Sequence, residues 1–146
     1  MNFGKKVVVG VDLQETTPER LRGLRQLEFL KGAEVHLVHV YQSTNVIYGM
    51  GEFCQVFPVE EDRRKLQETA VARMVQLSEG VFGSETKVVY RCLFDENPKE
   101  EFCLYAKEVK ADTIVVFTRE RHGIFESTFA SYAARHSPCH LLILKP

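Results

Sequence analysis

The chain has almost no net charge of either sign. Its 19 lysines and arginines face 20 aspartates and glutamates, a balance of -1, and no basic block interrupts the mixture. That removes the electrostatic footprint of a nucleic-acid binder, and no nucleic-acid partner is expected. Long hydrophobic runs are missing as well. No segment approaches the ~18 apolar residues of a membrane helix, so no membrane partner is expected. The opening MNFGKKVVVGVD places two lysines before apolar residues as a signal peptide does, but the apolar stretch is short and Asp12 interrupts it. A soluble, cytoplasmic protein is the expectation. Cysteine is sparse and scattered: Cys54, Cys92, Cys103 and Cys139 form no C-x-x-C, and no histidine lies at finger spacing. Free thiols in a reducing compartment are expected, with neither a metal site nor a disulfide framework.

What is present reads as one domain, residues 1–146, long enough to bury about 68–70% of the surface of its unfolded form. KKVVVGV, residues 5–11, is a continuous β-branched run and predicts a strand covered on both faces. Thr17-Pro18-Glu19 supplies an N-cap, a proline at the first helical position and an early acid. Leu21, Leu24, Leu27 and Leu30 follow, predicting a helix to about Gly32. AEVHLVHVY (33–41) is the second strand. Residues 42–59 contain Gly49, Gly51 and Pro58 without a clear period, longer than a plain connection. Residues 60–80 predict an amphipathic helix with Leu66, Ala70, Met74 and Leu77 on one stripe.

TKVVYRCL (86–93) is the third strand, and Asn97-Pro98 starts a helix with Phe102, Tyr105, Ala106 and Val109 inside. ADTIVVF (111–117) is the fourth strand. A helix to about His136 and the strand CHLLILK (139–145) complete the pattern. Strict alternation of strand and helix requires right-handed crossovers and a parallel sheet with helices on both faces. Ligands in such folds bind at the carboxyl ends of the strands where strand order reverses, which directs attention to the segments beginning at Asp12 and Thr118.

An aspartate closing the first strand in VVVGVD, HV in the second, ADTIVV as the fourth and the terminal ARHSPCHLLIL together resemble the universal stress protein family, from about Lys6 to Lys145. The resemblance implies a five-stranded, flavodoxin-like or adenine nucleotide alpha hydrolase-like sheet of order 3-2-1-4-5. It also implies a role in stress survival and a homodimer through residues 139–145. In nucleotide-binding members a loop G-x2-G-x9-G-[ST] after the fourth strand wraps the phosphates of ATP. On this chain its glycines fall on Phe117, Glu120 and Ala130, and its hydroxyl residue on Ser131. All three glycines are missing.

Those glycines permit positive φ and close approach of backbone N–H groups to phosphate oxygens. Glu120 at about 4 Å from a phosphate charge costs roughly 4 kcal/mol at an effective dielectric of ~20, near a thousandfold in affinity. The candidate degraded nucleotide site is therefore Asp12, Val40, Phe117, Thr118, Arg119, Glu120, Ala130 and Ser131. Arg119, Arg121 and His122 either bind an anion by side chain or form a solvated loop. Asp12 either holds the adenosine end or serves as a strand-end acid.

No catalytic residue is identified: Ser131 and His136 lie about a turn apart, a spacing chance produces as easily. His36 and His39 read as satisfied strand histidines. A phosphorylation receiver domain is disfavoured, because Asp12 has no acidic neighbour before Glu15 and Asp95 falls past the third strand. The expectation is a universal stress protein of the type without ATP, a dimeric interaction module with no cofactor and no enzymatic activity. The alternative is a nucleotide sensor that keeps ATP in an altered site with at most weak ATPase activity.

Overall fold

The computed structural model describes residues 5–43, 60–118 and 128–145, with the side chains of 60–62 and 128 excepted. The strands are β1 (Lys6–Gly10), β2 (Glu34–Gln42), β3 (Lys87–Asp95), β4 (Thr113–Phe117) and β5 (His140–Leu144). The helices are α1 (Pro18–Arg22), α2 (Glu60–Leu77), α3 (Pro98–Glu108) and α4 (Thr128–His136). All pairings are parallel, and the sheet order is β3-β2-β1-β4-β5, as the alternation and the resemblance lead one to expect. Among the described residues, no helix is long and apolar enough to cross a membrane.

The unbroken valine run of β1 fills the middle of this sheet because both its faces are covered. Val7, Val9 and Val11 join Leu21, Leu24, Met74 and Leu77 on the face covered by α1 and α2. Val8 points the other way, with Val38, Ile114, Phe102 and Ala106 under α3 and α4. Two faces, each needing apolar residues, abolish the alternation that a half-exposed strand shows.

Three expectations are corrected. The helix anticipated from Pro18 to Gly32 stops at Arg22 and gives way to 3-10 turns at Gly23–Gln26 and Glu28–Leu30. Leu21, Leu24, Leu27 and Leu30 recur every three residues, and that spacing suits a turn of 3.0 residues better than one of 3.6. Gly32 follows at φ +75°, a left-handed turn into β2 that suits glycine. Leu66 leaves the expected stripe of α2 and is 37% exposed, whereas Ala70, Met74 and Leu77 are buried. Asp95 closes β3 instead of lying beyond it. There its carboxylate accepts from the amide of Asn97, the residue that caps α3.

Among the described cysteines, Cys92 and Cys103 are buried and Cys139 is half-buried, all three as free thiols. Cys54, with residues 44–59, lies outside the described residues. No group of metal-ligating side chains occurs among those described.

Candidate functional site at the strand-order reversal

Strand order reverses at β1, whose neighbours lead outward in opposite directions. A cleft of about 830 Å³ opens there, above the carboxyl ends of β1, β2 and β4. Gly10 forms part of its floor. A Cβ at Gly10 would lie 3.2 Å from Cζ of Phe102, so the bare backbone lets that ring settle against the strand. Phe102 in turn meets Phe129 of α4 with ring centres 5.2 Å apart. Val40, Val116 and Phe117 complete the apolar lining.

The polar groups around the cleft are largely committed to local structure. Asp12 accepts from the amide of Gln14 at 2.9 Å, while its own amide donates to Oγ1 of Thr16 at 3.0 Å. It therefore shapes the turn that leaves β1 as well as lining the cleft. His39 donates from Nδ1 to the carbonyl of Val11 at 2.9 Å. Burial pulls its pKa below the usual imidazole range, so at neutral pH it is an uncharged strut joining β2 to β1.

Arg20, the third residue of α1, projects from the other side. Its guanidinium carbon lies 5.3 Å from the centre of the Phe117 ring, and its Nη2 is buried with no hydrogen-bond partner among the described residues.

The cleft brings together three of the candidate residues, Asp12, Val40 and Phe117. Thr118 turns to β5, donating from its amide to the carbonyl of Leu144 at 2.9 Å. Ala130 packs into the core beneath α4 and Ser131 is exposed on that helix; neither is among the described residues lining the cleft. Arg119, Glu120, Arg121 and His122 lie outside the described residues. Sequence reasoning missed Arg20 and the loop after β3, where Glu96 to Lys99 form one wall. A charged residue in a short helix carries no signature of burial. The rule of strand ends applied to β3 would have reached that loop.

The model of the universal stress protein family matches residues 4–145, almost the entire chain. The chain belongs to the universal stress protein family. Solved structures share its fold. The protein MJ0577 is 23% identical, with a TM-score of 0.71 over 99% of this chain and 97% of that one. A universal stress protein in complex with cAMP is 19% identical, at 0.62 over 97% of each chain. One from Archaeoglobus fulgidus in complex with dAMP is 19% identical, at 0.59 over 98% and 99%. No curated protein sequence matches significantly.

For this universal stress protein the fit of an ATP phosphate chain can be judged at the start of the phosphate loop. Where the resemblance puts the first glycine, the Phe117 ring stands in extended backbone at the end of β4, with Arg20 against it. A backbone cradle needs bare amides at that point. There the described residues offer the Phe117 side chain and the Thr118–Leu144 hydrogen bond, while residues 119–127 of the loop lie outside the described residues.

Proposed function

We propose that this universal stress protein works in stress survival as a homodimeric interaction module that does not use ATP and catalyses no reaction. The observation that supports this reading is Phe117, whose ring occupies the first position of the phosphate loop and is held there by Arg20. Absence of the three glycines points the same way. Dimerisation through residues 139–145 and a cytoplasmic location are parts of the same reading. The free thiols of Cys92, Cys103 and Cys139 suit a reducing compartment.

The test is isothermal titration with ATP and magnesium, beside mass spectrometry of protein released from native purification. We expect no binding tighter than about millimolar and no retained nucleotide; a micromolar dissociation constant overturns the reading.

One observation favours a second reading. The cleft persists at the strand-order reversal with Asp12 on its wall, and two similar structures were solved with cAMP and dAMP. On that reading the protein is a nucleotide sensor with an altered site and at most weak ATPase activity.

A further inference from the structure

On the reading that the site does not serve ATP, the described residues still leave a cleft at the strand-order reversal. About 830 Å³ remains, within the ~300–1,000 Å³ range of small-molecule sites. Its chemistry is divided. One part is hydrocarbon, built by Phe102, Phe129, Val40 and Val116. The other holds Arg20, whose buried Nη2 lacks a hydrogen-bond partner among the described residues. A buried donor left unmade is uncommon in folded proteins and calls for an explanation. Here the unmet donor belongs to a guanidinium, the side chain whose planar fork matches a carboxylate.

The rim sets the charge of what can enter. Asp12, Glu15 and Glu96 line the same cleft as Arg20 and Lys99, so a ligand with several negative charges would meet three carboxylates and two cations. A single negative charge placed at Arg20 minimises that opposition.

We propose that the cleft binds a small organic monocarboxylate with an aromatic or comparably apolar body, its carboxylate on Arg20 and its body along Phe129 and Phe102. This rests on the reading that the site does not serve ATP, since both ligands would occupy the same strand ends. The Phe117 ring then acts as the wall that orients the guanidinium. The apolar body replaces the adenosine end, and one carboxylate replaces the phosphates.

The test is calorimetric titration of the full chain with 1-naphthylacetate and, in parallel, with the neutral 1-naphthylacetamide. The acid is expected to bind below about millimolar and at least about tenfold tighter than the amide. In Arg20→Met, checked by its melting transition, the preference for the acid should vanish while amide binding stays unchanged. If that variant does not fold, Arg20→Lys keeps the charge without the fork and should reduce the preference severalfold. Equal affinity of the unaltered protein for acid and amide, no binding of either, or a preference that survives Arg20→Met overturns the inference. ATP titrated into the same samples keeps the two readings apart. Tight ATP binding removes the ATP-independent reading, and the acid-to-amide ratio decides this one.

Discussion

The hydroxyl of Tyr105 stands 2.6 Å from Nδ1 of His36. This contact joins α3 to β2 across a buried boundary. His36 has its other nitrogen 3.1 Å from the carboxylate of Glu34. Nε2 donates there, and in the neutral ring Nδ1 is left to accept the tyrosine proton. Burial raises the pKa of Tyr105, against the opposing pull of the Arg91 cation.

Tyr105→Phe leaves the buried Nδ1 without its partner. The expected loss is about 1–3 kcal/mol, read as a lower urea midpoint with an unchanged denaturant slope. A midpoint within experimental error of the parent would mean that the contact contributes nothing net.

Glu34 lies between Lys6 and Lys87 at the starts of three neighbouring strands, in register with both. Their ammonium groups are 3.5 and 3.1 Å from its carboxylate. Hydrogen bonds from His36 and then Lys87 hold its pKa down at about 2, from 4.5. Because the folded value is the lower one, this stabilisation is fully present above about pH 4.5 and fades as pH falls toward 2. Denaturation curves of the parent and Glu34→Gln, taken at falling pH, should converge below that point. A gap that stays constant into acid would exclude the linkage.

Replacing Phe117, Glu120 and Ala130 together with glycine should restore some affinity for ATP and magnesium, provided the floor and Asp12 remain competent. Glycine inside α4 at position 130 costs about 1 kcal/mol of helix stability, so a thermal melt accompanies the titration. No gain in affinity would place the change beyond the loop.

β5 is the sheet's outer strand, paired on one side with β4. The amide of His140 donates to Asp112, and the carbonyl of Leu144 accepts from Thr118. The backbone groups of Leu141 and Ile143 therefore face outward, by the alternation of a parallel ladder. Ile143 is also 38% exposed. An apolar edge of this kind invites a second chain. We predict a dimer whose β5 strands pair about a two-fold axis. Ile143→Pro removes an outward donor and leaves the pairing with β4 in place, so sedimentation should show a folded monomer. A monomeric parent, or a variant that stays dimeric, would move or remove this interface.

The sheet was legible because its central strands, β1, β2 and β4, are largely buried apolar runs, and the edge strands β3 and β5 keep enough β-branched and apolar residues to stand out from the helices between them. Thr17-Pro18 and Asn97-Pro98 start α1 and α3 where the local chemistry requires it, each side chain accepting from a backbone amide three residues on. The leucines of 21–30 were readable as an inward row, with Leu21, Leu24 and Leu30 buried and Leu27 half-buried, but not as helix, since a spacing of three suits two kinds of turn. Leu66 shows the limit of counting a stripe: at its level α2 meets β3 through Arg63 on the Phe94 ring and Gln67 on the Cys92 carbonyl, which leaves Leu66 to one side of the contact. At the site, Asp12, Val40 and Phe117 followed from strand ends and the family pattern. Arg20 did not, because its role depends on Phe117, a partner 97 residues later.

The amide of Lys6 donates to the carboxylate of Asp112 at 2.9 Å, a span of 106 residues, and the strands that follow them pair directly. β1 is thus the hinge of assembly as well as the centre of the sheet. Its pairing with β2 closes a short loop, whereas the union with β4 must overcome the entropy of one several times longer. Until β4 arrives, the valines of β1 border an open edge. Folding should therefore have a late, rate-setting closure, with the native signal regained in about milliseconds or longer. Stopped-flow refolding that finishes in microseconds would contradict it. During that interval the half-built sheet presents its most apolar strand to any neighbouring chain, so crowding by unfinished copies is the hazard this topology carries.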